Sequence, residues 1–209
     1  TNTNSGDTTY TLSSFSDDNL DTIYASIWDA GGTDTFSWSD QSSIASINLN
    51  GGSFSCFGNI TGVDDAGLKS DSWSAGDGLL GIAYNAVIEN AIGGSASDNV
   101  IGNSVANTLY GGAGSGVKDT LTGNGGADIF VCSLSDATTD VSLADSISDF
   151  TNGTDFIGLE DRTFSDLSIL NSSGDTKIID TNSSKVLFLL DGVDHTLIDS
   201  NDFIITDFV

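Results

Sequence analysis

The chain has 209 residues, 30 of them acidic against five Lys or Arg, for a formal charge of −25. Five basic side chains cannot neutralise a run of phosphates, which excludes nucleic acid and disfavours an anionic membrane surface as a partner. Leu, Ile, Val and Phe supply 56 residues, or 27%, above the roughly 20% below which acidic chains stay disordered, and the length suffices for one large domain or two small ones.

No apolar run approaches the ~20 residues of a membrane span, and no charged-then-apolar leader opens the chain. The start at Thr1 and the lack of Met lead us to expect a longer precursor. The acid is almost all aspartate, the two glutamates being Glu89 and Glu160. A helical surface would favour Glu, because Asp competes with the helix through local backbone hydrogen bonds. With 25 Gly, no Pro and abundant Ser, Thr and Asn, the pattern predicts short strands joined by tight turns. No amphipathic helix of three turns is visible, so the class is all-β. Aspartates crowded beside glycines repel one another. Either they only keep the chain soluble, or a cation from solution offsets them; carboxylate and carbonyl oxygens favour calcium.

In chain order, the first motif is Ala30-Gly31-Gly32-Thr33-Asp34-Thr35-Phe36, and Cys56 follows. From residue 93 the chain reads in nines. Gly93–Ile101 abuts Gly102–Tyr110; then Gly111-Gly112-Ala113-Gly114 resumes at Asp119-Thr120-Leu121-Thr122 after Ser115–Lys118, and Gly123–Val131 is the fourth copy. This is the G-G-x-G-x-D-x-U-x nonapeptide of calcium-binding parallel β-helices. Six residues turn and aim carbonyls inward, with the sixth-position Asp adding a charged oxygen. Three residues then form a strand whose eighth-position side chain (Val100, Leu109, Leu121, Phe130) enters the core. Two nonapeptides make one coil, so ions lie between turns about 18 residues apart. Ala96 and Val105 stand in for fourth-position glycine, which is expected to strain the turn. Asn107 replaces the Asp, and Ser115–Lys118 lengthen a turn and place a cation beside Asp119, so at least one site should be weak.

The segments Ser26–Phe36, Ile47–Asn50 and Val87–Ser95 closely resemble the C-terminal domain of serralysin-type metalloproteases, secreted bacterial zinc endopeptidases with an N-terminal catalytic domain and a calcium-binding β-roll. The resemblance runs from about Asn4 to Val131, with an insertion between about Ile60 and Leu80 and fewer nonapeptides. It implies a β-roll merged with a β-sandwich, divided as 1–92 with the first calcium sites, 93–131 as the roll, and 132–209 as a C-terminal β part. It implies several calcium ions. One would use Asn4, Gly6, Thr8, Asp29, Gly31 and Asp34; a second Gly32, Asp34, Val87 and Glu89. A third would lie among Gly94, Ala96, Asp98, Gly111, Ala113 and Asp119, and a fourth among Asn103, Val105, Asn107, Gly123, Gly125 and Asp128. The tail, at Ser148–Asp155, Thr163–Ile169 and Leu190–Val193, resembles the ends of many repeat-containing exoproteins, with Asp149 and Asp155 closing a last turn. Asp207-Phe208-Val209 is similar to the terminus read by type I secretion exporters, or is simply a frayed apolar end.

No catalytic residue is assigned. H-E-x-x-H needs two histidines, and the chain has only His195, so no zinc is expected here. His195 is expected at the surface. Cys56 and Cys132 are too few for a disulfide framework, and sequence does not decide whether they pair. The expected role is calcium-dependent folding, export and stabilisation of an N-terminal catalytic partner, with an extracellular location. The alternative is a binding or adhesion module of another repeat-containing exoprotein, motivated by the insertion and Trp73.

Overall fold

The protein is described by a computed structural model covering residues 4–11, 22–57, 77–114 and 116–208, with backbone only at 22–24 and 77–78. Most of the insertion, including Trp73, lies outside these residues, as do Ser115 and Val209. The strands are β1 (Thr9–Thr11), β2 (Thr22–Ile27), β3 (Thr35–Ser37), β4 (Ala45–Asn48), β5 (Phe54–Phe57), β6 (Asp77–Ile82), β7 (Asn90–Ile92), β8 (Asn99–Ile101) and β9 (Thr108–Tyr110). They continue as β10 (Thr120–Thr122), β11 (Ile129–Cys132), β12 (Ser146–Ile147), β13 (Phe156–Leu159), β14 (Leu167–Ser172), β15 (Asp175–Asp180), β16 (Lys185–Leu190) and β17 (Phe203–Ile205). Among the described residues the helical elements are short 3-10 turns. Among the described residues no helix is long and apolar enough to cross a membrane.

Two sheets result, ordered β1-β3-β7-β9-β11-β13-β17 and β14-β15-β16-β12-β10-β8-β4-β5-β6-β2. The chain alternates between them through the repeats. Asn90 pairs with Thr108, one 18-residue coil along. Asn99 pairs with Thr120, a coil made longer by the extra turn residues. The roll is parallel throughout, whereas antiparallel β14–β15–β16 and β4–β5–β6 extend the larger sheet on either side. The fold is therefore all-β, a parallel roll merged with a sandwich.

Alternation is strict in β8 and β10, whereas β9 and β11 also bury Tyr110 and Val131, but every nonapeptide strand keeps the expected core position. Its middle residue is fully buried at Val100, Leu109, Leu121 and Phe130, and burying each such side chain contributes roughly 1.5–3 kcal/mol. Phe36, Ile47, Ile88, Ile147, Ile157 and Phe188 continue the same core. Trp38 stacks on Phe57 with ring centroids 4.1 Å apart. Cys56 and Cys132 are both buried, on opposite sheets, and are not joined in a disulfide.

The glycines have a reason beyond flexible dihedrals. A Cβ at first-position Gly93 or Gly111 would lie 2.8 or 2.5 Å from a carboxylate oxygen of its own turn's Asp98 or Asp119. The sixth-position carboxylate folds back over the first residue, leaving no room for a side chain there. The strain expected at Ala96 and Val105 is not found. Neither is among the residues with positive φ, so these turns suit an L side chain at the fourth position.

Candidate metal centres

Turns from the larger sheet to the smaller stack along one edge of the roll, at 28–34, 83–89, 102–107, 123–128 and 148–155. Return turns at 38–44, 93–98, 111–119 and 133–145 stack along the other. Both edges are lined with carboxylates just ahead of a strand. Among the described residues ten aspartates are buried: Asp29, Asp34, Asp98, Asp119, Asp128, Asp136, Asp145, Asp155, Asp180 and Asp202. Among the described residues none of the ten pairs with a Lys or Arg. Charges buried without partners oppose folding strongly, so their surroundings decide what this molecule can do.

At the first edge, Asp34 is fully buried. Its Oδ1 accepts the Thr8 backbone N–H at 2.8 Å, while its Oδ2 has no hydrogen-bond partner. Glu89 accepts the Asp34 N–H at 2.8 Å. Asp29 accepts the Tyr10 hydroxyl at 2.5 Å and the Gly31 N–H at 2.8 Å. Asn4 bridges to Asp29 through the backbone, and the Thr8 hydroxyl donates to the Gly6 carbonyl. Burial, and then repulsion from Asp29 and Glu89, push the Asp34 carboxyl up. Burial also opposes ionisation of Asp29, but the Tyr10 and Gly31 hydrogen bonds outweigh it and hold that carboxyl low. Residues 4–8, 29–34 and 89, separate in sequence, thus meet at one corner.

Further along this edge, Asn107 accepts the Asn103 N–H at 2.7 Å and donates its amide to the Glu89 carbonyl at 2.9 Å. The Asn103 amide donates to the Ile88 carbonyl at 2.8 Å. At this turn, amide groups rather than a carboxylate face the Ile88 and Glu89 carbonyls. Beyond it, the Asn107 N–H reaches Asp128 at 2.8 Å, and the Asp128 N–H reaches Asp155 at 3.0 Å. Asp155 also accepts from Thr151, and Asp149 from Gly123 and Asn124. Burial, with repulsion from Asp155 and Asp149, pushes Asp128 up to about 6.

The opposite edge repeats the ladder. Asp98 accepts the Ala45 and Gly94 N–H groups, both at 2.6 Å, and burial pushes it up to about 6. The Asp98 N–H donates to Asp119 at 2.7 Å, and the Asp119 N–H to Asp145 at 2.8 Å. Oδ2 of Asp119 is buried without a partner. Carboxylate oxygens of Asp119, Asp136 and Asp145 lie within 4.8 Å of one another. Burial pushes all three carboxyls up, and repulsion within the cluster adds to the effect at Asp119 and Asp145.

Asp136 and Asp145 were not among the sequence candidates. The signal was present in half a repeat. Asp145-Ser146-Ile147-Ser148 reproduces Asp119-Thr120-Leu121-Thr122, but the turn before it lacks glycines. The extra cation is not directed at Asp119; Lys118 lowers the Asp191 carboxyl instead, against the effect of burial. His195 opens a 3-10 turn, half-buried, with Nδ1 3.5 Å from Asp194.

The paired edges, with an acid just ahead of β3, β7, β8, β10, β11, β12 and β13, recur from residue 28 to residue 155. A family model described as Peptidase M10 serralysin C terminal matches residues 1–206. The chain belongs to the serralysin C-terminal family. Relatives of this serralysin C-terminal region include Serralysin B of Dickeya chrysanthemi, 44% identical over 106 residues, which cover 47% of the chain and 19% of that protein. Metallopeptidase AprA of Pseudomonas marginalis is 37% identical over 115 residues, covering 52% and 21%. Serralysin of Photorhabdus luminescens is 46% identical over 82 residues, covering 39% and 14%. The matched part of the chain thus spans about a fifth or less of each relative's length.

Proposed function

We propose that this domain is a calcium-binding folding module at the C-terminal end of a secreted, serralysin-like zinc metalloprotease, and that it carries no catalysis itself. The observation behind this reading is the pair of orphaned, buried carboxylate oxygens, Asp34 Oδ2 and Asp119 Oδ2, each set among further acids with no Lys or Arg in ion-pair contact among the described residues. Hard oxygen donors of this density suit calcium rather than zinc or copper. Asp29, Asp34 and Glu89 would hold an ion with the carbonyl-bearing turns around residues 4–8 and 31–32. Asp98, Asp119, Asp136 and Asp145 would serve the opposite edge, and Asp128, Asp149 and Asp155 the far part of the first. A bound calcium would supply positive charge between successive turns.

The chain's own groups do the rest. Backbone N–H donors from Thr8, Ala45, Asp98, Asn107, Asp119 and Asp128 fix one oxygen of each carboxylate, and Oδ2 of Asp34 and of Asp119 is left without a partner to face a cation. In a calcium-poor cytosol, repulsion among these acids would keep the chain unfolded and fit for a type I exporter. Extracellular modules bind calcium at roughly 10⁻⁴–10⁻³ M, so folding would follow export. The folded domain would then stabilise an attached catalytic portion. Far-UV circular dichroism of the chain with calcium and with chelator tests the reading. Strand signal is expected only with calcium; equal strand content in both would refute it.

A further inference from the structure

Five of the ten large exposed apolar side chains among the described residues lie on or beside the turns 28–34, 83–89 and 102–107. Trp28 is 65% exposed and Tyr84 77%, with Phe54, Val87 and Val105 also open to solvent. Backbone pairing makes them neighbours. The Ala83 N–H donates to the Ile27 carbonyl at 2.9 Å, bringing Tyr84 beside Trp28. The Tyr84 ring covers Gly52, where a Cβ would lie 2.5 Å from Cε1, and the Phe54 ring lies over Gly81. Val87 and Val105 line one shallow pocket with Asn50, Gly51 and Asn85. Its lining is uncharged in a molecule of net charge −25. Exposed aromatic side chains grouped in this way mark an interaction surface.

The chain's entry point identifies the occupant. Asn4 bridges to Asp29, next to Trp28, and its carbonyl accepts the Ala30 N–H at 2.8 Å. Asn4, where the described chain begins, therefore lies beside this patch, and the matched part of the chain covers only 14–21% of relatives such as Serralysin B, AprA and the Photorhabdus serralysin. A second copy would bring −25 against −25. We propose that Trp28 and Tyr84, with the neutral pocket beside them, form the docking face for the preceding, catalytic portion of the precursor. This rests on the function proposed above and names the surface through which the domain would stabilise its partner.

Hydrogen exchange in saturating calcium, comparing the precursor with the isolated chain, tests the proposal. Turns 28–34, 83–89 and 103–107 should exchange roughly tenfold or more slowly in the precursor, as expected under a buried aromatic anchor. The Trp28→Ala/Tyr84→Ala double variant should lose that protection, while its isolated chain keeps the parent's calcium-induced strand signal. Equal exchange in precursor and isolated chain overturns the docking face. So does protection that appears in the isolated chain through self-association, or only on adding a neutral oligosaccharide. An isolated chain that is folded in chelator would refute the calcium reading and leave the exchange comparison to stand on its own.

Discussion

Replacing Asp128 by Asn separates the two effects of its charge. Oδ1 of Asp128 accepts the Asn107 N–H at 2.8 Å, a bond that an amide oxygen keeps. The variant therefore loses the negative charge and little else. Burial raises this carboxyl to about 6, from about 4 in an unfolded chain. At about 1.4 kcal/mol per pKa unit, ionised Asp128 costs the folded state roughly 3 kcal/mol when no cation offsets it. The folded form holds the proton to higher pH, so the stability this proton contributes is complete below about pH 4 and is lost as pH rises through about 6. In chelator, acid should restore strand signal between pH 6 and 4, and Asp128→Asn should recover at higher pH than the parent. In calcium at pH 7.5 the sign reverses. Losing a charged donor should raise the calcium midpoint by about 10–100-fold, the range seen even for supporting residues at metal sites. Circular dichroism titrated with calcium and with acid reads both arms. A variant that matches the parent in calcium, or that is less structured than the parent in chelator, refutes the reasoning.

Asp145→Asn keeps an acceptor for the Asp119 N–H but removes a charge from the three-carboxylate cluster. Equilibrium dialysis at about 1 mM calcium, in the range where such modules bind, should count one ion fewer with strand content kept; an unchanged count would remove this cluster from the metal-binding set. A Cβ at Gly112, where φ is +118°, would run onto the Gly94 carbonyl oxygen and lie 2.7 Å from the Gly93 carbonyl carbon. Gly112→Ala should therefore cost roughly 2–4 kcal/mol or prevent folding. At Gly153, with φ +76° and open space, alanine should cost only about 1–2 kcal/mol. Urea unfolding in saturating calcium measures both.

The regular part of the fold could be read from the sequence because the nonapeptide resumes in phase after the extra turn residues at Ser115–Lys118. Val100, Leu109, Leu121 and Phe130 enter the core as the nonapeptide spacing requires, and the turns between them bring Asp98 to Asp119 and Asn107 to Asp128. Asp29, Asp34 and Glu89 were legible through the family resemblance, since 55 residues separate Asp34 from Glu89 and no local pattern links them. Asp136 and Asp145 escaped because their turn carries Ser and Thr in place of glycine, so only the D-x-U-x half of the repeat survives. The antiparallel additions were also hidden. β14–β16 and β4–β6 pair through hairpins rather than coils, and alternation along a strand does not say which sheet it will join. The exposed Trp28 and Tyr84 could not be told from core aromatics, because both lie close to strand ends in an otherwise buried pattern.

Cations held between successive turns, by buried aspartates with no Lys or Arg in ion-pair contact among the described residues, are central to the proposed function. Anomalous scattering from a crystal grown in abundant calcium locates such ions directly. Peaks are predicted beside Asp34 and Glu89, among Asp119, Asp136 and Asp145, and among Asp128, Asp149 and Asp155. A well-ordered crystal with no anomalous density at any of these corners would contradict it.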